Sequence, residues 1–108
     1  CPSDAVAEGI IFALKKRGYT AANMPVITGC DSTQSALDHI KKGEMSMTIY
    51  KSNTLCDTVV QMVKDISQGK PVDVTDNYTY DNGVKIMDSV LCDPELVDKS
   101  NVDTVQTK

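Results

Sequence analysis

The sequence has no tryptophan, one phenylalanine and one histidine, and these shortages exclude several kinds of function. Binding of nucleic acid by base stacking needs aromatic side chains, and a net charge of −4 disfavours a partner whose surface is made of phosphates. We therefore expect no nucleic-acid partner. The single histidine, His39, falls among charged residues in a predicted helix, where we expect it on the solvated surface. No nucleophile and base can be placed together, so the sequence predicts a protein that is not an enzyme.

The chain also lacks an apolar run long enough to span a membrane, a CxxC pair and a glycine-rich phosphate loop. We expect neither a metal site nor a cofactor. Four cysteines are present and widely spaced, namely Cys1, Cys30, Cys56 and Cys92. They allow three disulfide pairings, or they are four small buried side chains, and the spacing does not decide between these alternatives.

Helices and strands are predicted to alternate along the first part of the chain. Capping residues, apolar periodicity and terminal glycines predict helices near 4–17, 32–42 and 54–68. Short apolar runs predict strands near 24–28 and 45–50. The alternation predicts an α/β fold in which crossover helices join the strands of a parallel sheet, with the first two strands paired in parallel.

The apolar pattern also predicts which faces are buried. The first helix carries its apolar residues at Val6, Ile10, Ile11 and Leu14. The strand near 45–50 alternates Met45, Met47 and Ile49 with Ser46, Thr48 and Tyr50. We expect the apolar members of both sets to face the core.

The chain becomes acidic and polar after Pro71. Most of this stretch is expected to be a solvated surface. Asp81-Asn82-Gly83 is a strong turn signal between residues 77–80 and a predicted late strand at 84–91. Asp93-Pro94-Glu95 is expected to begin one last short helical turn.

Polar side chains follow the predicted carboxyl ends of the strands. Asp31 follows the strand near 24–28, and Lys51 follows the strand near 45–50. Ser3 precedes the first helix, and we expect Cys1 to end a strand whose body lies outside the sequence. Ligands of open α/β sheets bind at this edge, and carboxylate and ammonium groups suit the hydroxyls of a sugar. Ser3 and Asp31 have an alternative role as helix caps.

The stretch MPVITGCDSTQSALDHIKKGEMSMTIYKSN resembles the last third of type I periplasmic binding proteins, in particular the xylose- and multiple-sugar-binding branch. The motifs are Thr28-Gly29-Cys30-Asp31 and Met47-Thr48-Ile49-Tyr50-Lys51. Later segments, Tyr80 to Lys85, Ser89 to Leu91 and Asp98 to Val102, follow in the family's order. The resemblance covers almost the whole chain.

The resemblance implies a two-lobed α/β fold of which this chain is one part. Residues 1–50 would belong to the C-terminal lobe, 51–83 to the N-terminal lobe, and 84–108 would be the return strand and tail. The implied function is the extracytoplasmic substrate-binding component of an ABC sugar importer, either periplasmic or a cell-surface lipoprotein. It would hold a xylose- or glucose-like monosaccharide in an interlobe cleft and deliver it to a membrane permease. The alternative is the sugar-sensing domain of a chemoreceptor, of a sensor-kinase partner or of a transcriptional regulator.

The resemblance also assigns roles to residues. Asp31 matches a hydroxyl-binding aspartate of the family, and Lys51 matches a polar ligand residue at a hinge crossing. Ser3 stands where the family has the asparagine of an Asn-Asp pair, and Cys30 replaces a glutamine, so both depart from the pattern near the sugar. In the family fold Cys1 and Cys30 would end neighbouring strands, which places a disulfide between them within reach.

In the implied fold, the third helix packs on the sheet of the other lobe. Most of that sheet lies outside this sequence. The apolar face of that helix carries Leu55, Val59, Met62, Val63 and Ile66. We expect the chain to be an oligomer or to pair with a complementing chain, because such a face is unfavourable in water.

Overall fold

A computed structural model of the protein describes residues 1–50 and 54–105. The chain forms two compact units. The first unit contains Cys1–Lys51 and Pro94–Lys108, and the second contains Ser52–Asp93. Within the described residues, no helix combines the length and the apolar character that crossing a bilayer requires.

Helix α1 spans Asp4–Lys16, close to its predicted bounds. Ser3 caps it by accepting a hydrogen bond from the Val6 N–H at 3.5 Å, and the basic side chains of its last turn complement the helix dipole. Its buried face was only partly predicted. Ala7 and Ile11 are buried, whereas the expected Val6 and Ile10 are 48% and 41% exposed. The helix thus turns a small side chain, Ala7, toward the rest of the unit.

Helix α2 spans Gln34–Lys42 and begins two positions later than the residue 32 expected. Thr33 is the cap, and its side chain accepts from the Ala36 N–H. Gly43 ends the helix with φ 74°, a left-handed conformation in which glycine carries no steric penalty. The buried residues of this helix include Ala36, Leu37 and Ile40, as its periodicity predicts.

Strand β1 spans Met47–Tyr50 and lies in parallel beside residues 27–31, which confirms the predicted pairing. Three backbone hydrogen bonds join them, from Ser46 N to Ile27 O at 2.8 Å, Gly29 N to Met47 O at 3.0 Å and Asp31 N to Ile49 O at 2.9 Å. The predicted strand at 24–28 was too long, because only Thr28 forms a strand-like bridge, to Met47.

Strand β2 spans Glu95–Asp98 and pairs with β1 in antiparallel orientation. The expected helical turn at 93–95 was wrong, because β2 begins at Glu95. The expected late strand at 84–91 was also wrong, because that segment forms only isolated bridges, at Ile86 and Ser89. Val97 of β2 is fully buried, whereas Val84 is 90% exposed, so burial favours the later segment as the strand. The sheet is mixed, and the α/β class with a crossover helix between parallel segments is confirmed.

The hydrophobic core lies in the first unit. It joins α1, α2, the parallel segments, β2 and the turn that follows β2. Its buried members are Ala7, Ile11, Ile27, Ala36, Leu37, Ile40, Met45, Val97 and Val102. Val102 follows β2, and its burial attaches that segment to the unit.

The second unit is built differently. Helix α3 spans Thr54–Ser67, and none of its described residues is buried. The chain then folds back on itself through isolated antiparallel bridges, Asp76 with Ser89 and Asp81 with Ile86. The predicted turn at Asp81-Asn82-Gly83 is confirmed, with Gly83 at φ 82° and its N–H bonded to Asp81 Oδ1 at 2.8 Å.

Candidate functional site at the carboxyl edge of the sheet

Asp31 lies where the parallel pairing ends, at the edge that the sequence predicts. Its backbone N–H donates to the Ile49 carbonyl at 2.9 Å, and the residue is exposed. The main chain of Asp31 is thus tied to the sheet, and the residue is exposed to solvent. This arrangement suits a group that accepts hydrogen bonds from ligand hydroxyls.

Asp31 and Ser32 both have positive φ angles, 119° and 54°. Residues other than glycine avoid this region, and each such residue costs on the order of 1–3 kcal/mol. Ser32 is buried, and its Oγ lacks a hydrogen-bond partner among the described residues. Backbone strain of this kind persists only where surrounding contacts impose it, and it is concentrated at ligand sites.

Ser3 lies at the same edge as Asp31. The amino group of Cys1 donates to the Thr28 carbonyl at 2.9 Å, and the Asp4 N–H donates to the Cys30 carbonyl at 2.8 Å. Residues 1–4 therefore run beside residues 28–30. The Ser3 hydroxyl acts as the α1 cap, which is the alternative role open to it from the sequence. Lys51, the third predicted site residue, lies outside the described residues.

A buried polar group beneath this edge escaped the sequence analysis. Asp4 is fully buried, and its Oδ1 accepts from the Thr48 hydroxyl at 2.6 Å. Its Oδ2 accepts from the Thr33 N–H at 2.8 Å and from the Thr33 hydroxyl at 3.2 Å. Thr48, expected on the outward face of β1, is also fully buried. The sequence contains one signal for this contact: Asp4 directly follows a helix cap, and Thr48 stands among apolar residues of a strand.

A second polar cluster joins α1 to the end of α2, away from Asp31. Glu44, a largely buried residue, accepts from Lys15 Nζ at 2.5 Å and pairs with His39 Nδ1 at 2.7 Å. Hydrogen bonds from Lys15 and then His39 hold the pKa of the Glu44 carboxyl below its ordinary value. The expectation of a solvated His39 was wrong, since its side chain is only 23% exposed and contacts Glu44.

All four cysteines are free thiols. The disulfide between Cys1 and Cys30 that the resemblance places within reach is not formed. Cys1 and Cys56 are exposed, so the reading of four small buried side chains is wrong for these two.

One concavity of the first unit is separate from the predicted edge. It is a groove of about 490 Å³ between α1 and α2, lined by Glu8, Ile11, Phe12, Lys15, Lys16 and His39. Of the predicted site residues that the structure describes, neither Ser3 nor Asp31 lines it.

Known proteins are similar to this chain in sequence and in fold. No protein-family model matches the chain. The chain is 40% identical over 107 residues to the "Multiple sugar-binding periplasmic receptor ChvE" of Rhizobium radiobacter, covering 96% of this chain and 30% of that protein. It is 31% identical over 107 residues to the "D-xylose-binding periplasmic protein" of Haemophilus influenzae, covering 98% of this chain and 31% of the relative.

A solved structure shares the fold. An ABC transporter solute-binding protein of Clostridium phytofermentans with bound β-D-glucose superposes with a TM-score of 0.79 and 34% identity, covering 94% of this chain and 31% of that one. Over almost its whole length, the chain resembles one part of the periplasmic sugar-binding proteins. It spans about 30% of the length of the curated relatives it matches. The partial type I binding-protein fold expected from the sequence is confirmed.

Proposed function

We propose that this chain is part of the extracytoplasmic substrate-binding component of an ABC sugar importer. The observation that carries the proposal is the position of Asp31, an exposed residue on a strained turn at the carboxyl edge of a parallel pairing. An ionised carboxylate accepts several hydrogen bonds and donates none, so it is matched to a ligand rich in hydroxyl groups. The ligand is a monosaccharide, xylose- or glucose-like, in keeping with the names of the relatives.

In this proposal Asp31, Ser3 and Lys51 contribute the polar contacts to the sugar. Ser3 supplies a short hydroxyl that also caps α1, and Lys51 supplies a cation next to β1. The protein binds its sugar and releases it unchanged, since the relatives named above are binding proteins. A membrane permease receives the sugar, and the protein works outside the cytoplasm, periplasmic or tethered to the cell surface.

The assignment of segments to two lobes belongs to the same proposal. Residues 1–50 are part of the C-terminal lobe, residues 51–83 pass into the N-terminal lobe, and residues 84–108 return. The division of the chain into two compact units supports this assignment. The second compact unit extends to Asp93, beyond the boundary at residue 83 in this proposal.

Isothermal titration calorimetry of the full natural polypeptide tests the proposal. We expect saturable one-to-one binding of D-xylose or D-glucose, and no binding of the open-chain polyol sorbitol, which has hydroxyls but no sugar ring. Absence of binding to both sugars would contradict the proposed ligand class.

A sensory role is the second candidate, because one relative is named a periplasmic receptor. Uptake of radiolabelled sugar by cells lacking the gene separates the two roles. A transport component predicts loss of uptake, whereas a purely sensory protein predicts normal uptake together with loss of the response to sugar.

A further inference from the structure

We propose that Asp4 and Thr48 form the positioning device of the sugar site. They hold the turn at Asp31 in the conformation that presents its carboxylate, without touching the sugar themselves. The inference rests on the proposed function, because it concerns the shape of the site that function requires.

Asp4 lies beside the turn that carries Asp31. Asp4 is fully buried, and no ion pair of Asp4 is formed among the described residues. Its backbone N–H reaches Cys30, just before Asp31, and its Oδ2 binds both polar groups of Thr33, just after Ser32. One residue therefore fastens the turn on both sides of Asp31. Burial of a carboxylate is unfavourable, and the three hydrogen bonds and the α1 N-terminus compensate it.

Thr48 connects Asp4 to Ser32 through two hydrogen bonds of its hydroxyl group. Its hydroxyl proton goes to Asp4 Oδ1 at 2.6 Å, because an ionised carboxylate only accepts. A lone pair of the same oxygen is thereby left to accept the Ser32 N–H at 3.3 Å. Asp4 thus controls Ser32 through Thr48 and controls Thr33 directly.

These bonds hold Asp31 and Ser32 in backbone conformations with positive φ angles. Asp31 and Ser32 hold φ angles of 119° and 54°, which L-residues adopt only under constraint. Asp31 is additionally fixed by its own N–H to Ile49. Without the bonds from Asp4 and Thr48 the turn is free to relax to negative φ. The carboxylate then leaves its position at the sheet edge, and a small displacement of a ligand-binding group is costly.

The test is a pair of substitutions at Thr48 in the full natural polypeptide. Thr48→Val keeps the branched shape but removes the hydroxyl, and Thr48→Ser keeps the hydroxyl. We expect Thr48→Val to weaken binding of D-xylose or D-glucose by about 10-fold, and Thr48→Ser to stay within about 3-fold of wild type. Thermal melting identifies the temperature range in which every variant is folded, and the titrations are done within that range. A role in stability alone would leave the affinity of the folded Thr48→Val protein unchanged.

A double-mutant cycle with Asp31→Ala shows whether Thr48 acts through Asp31. We expect Thr48→Val to have little further effect once Asp31 is alanine. Fully additive losses would overturn the inference, as would an unchanged affinity of Thr48→Val beside a weakened Asp31→Ala. Unchanged affinity of Asp31→Ala itself would remove the proposed site, and the inference with it.

Thr33 supplies the test if Thr48→Val does not fold. Thr33→Val removes the hydroxyl bond to Asp4, together with the α2 cap to the Ala36 N–H, and leaves the backbone bond, while Thr33→Ser keeps all three. We expect about 3-fold weaker binding for Thr33→Val and wild-type binding for Thr33→Ser. Equal affinities of these two variants would overturn the inference.

Discussion

Gly29 lies against Asp4 at the sheet edge, where a side chain has no room. A Cβ built on Gly29 would collide with Asp4 Oδ1 and with Met45 Cε, and it would lie 3.3 Å from Asp4 Cα. The atoms on the other side are a buried carboxylate that is already fully engaged and the backbone of α1. The absence of a side chain at this position is therefore a condition for the buried polar group beneath Asp31.

Gly29→Ala is expected to destabilise the protein by about 1–3 kcal/mol, because it overpacks a buried site. Gly9→Ala is the matched control, since no atom lies within 4 Å of a Cβ at Gly9. In a helix that control is expected to stabilise by about 0.5–1 kcal/mol. Urea unfolding of the full natural polypeptide measures both. Equal stabilities of the two variants would contradict the close approach of Asp4 and Gly29.

The position of Asp31 follows from the sequence, whereas the burial of Asp4 and Thr48 does not. A polar residue directly after a predicted strand must lie at the strand's carboxyl end. The strand alternation, however, puts Thr48 on the polar face, and an aspartate in the first turn of a helix is usually solvated. The tertiary fold reverses both expectations, because the two side chains satisfy each other inside the unit.

The Glu44 carboxylate links helices α1 and α2 in addition to their apolar packing. Glu44 follows the end of α2 and receives hydrogen bonds from Lys15 of α1 and His39 of α2. Because the folded state lowers its pKa, ionised Glu44 stabilises the fold above its ordinary pKa. That contribution is lost as the pH falls through the lowered pKa.

Glu44→Gln is expected to lower the free energy of unfolding by about 1–3 kcal/mol at pH 7, since it weakens hydrogen bonds to a charged group. The difference from wild type should shrink as the pH falls below the ordinary pKa of a glutamate, about 4.3, and through the lowered pKa of Glu44, where the wild-type carboxyl also becomes neutral. Urea unfolding at a series of pH values measures this. Asp38→Asn, an exposed carboxyl on α2, is the control and is expected to have little effect. A difference for Glu44→Gln that does not depend on pH would show that the charge of Glu44 is not what stabilises the link.

The helices could be predicted from sequence far better than the strands. Each helix has local start and stop signals, such as Ser3 before α1 and Gly43 after α2, and these depend on neighbouring residues only. Strand β2 is defined instead by its partner β1, far away in the chain. Apolar residues near 84–91 and near 95–98 suit a strand equally well locally, and only burial against β1 selects the second segment.

The whole chain has an uneven distribution of buried surface. Every member of its hydrophobic core lies in the first unit, whereas α3 exposes Val59, Val60, Val63 and Ile66 by 49–64%. Such a row of apolar side chains on one helix is unfavourable in water, because each is worth about 1.5–3 kcal/mol when fully buried. The relatives are about three times longer than the matched segment, so each of them contains further chain beyond it.

The 108-residue chain on its own is therefore expected to associate with itself or with a complementing chain. Light scattering in dilute solution measures this, and Val63→Lys on the exposed face of α3 is expected to reduce the association. A stable, monodisperse monomer would contradict the expectation.

The central claim is that the carboxyl edge at Asp31 binds a monosaccharide, and calorimetry of one substitution in the full natural polypeptide tests it most directly. Asp31→Ala is expected to weaken binding of D-xylose or D-glucose by about 10- to 100-fold, the cost of losing a hydrogen bond to a charged group. Asp38→Ala, which removes an exposed carboxylate on α2, is expected to leave the affinity unchanged. Wild-type affinity in the folded Asp31→Ala protein would contradict the claim.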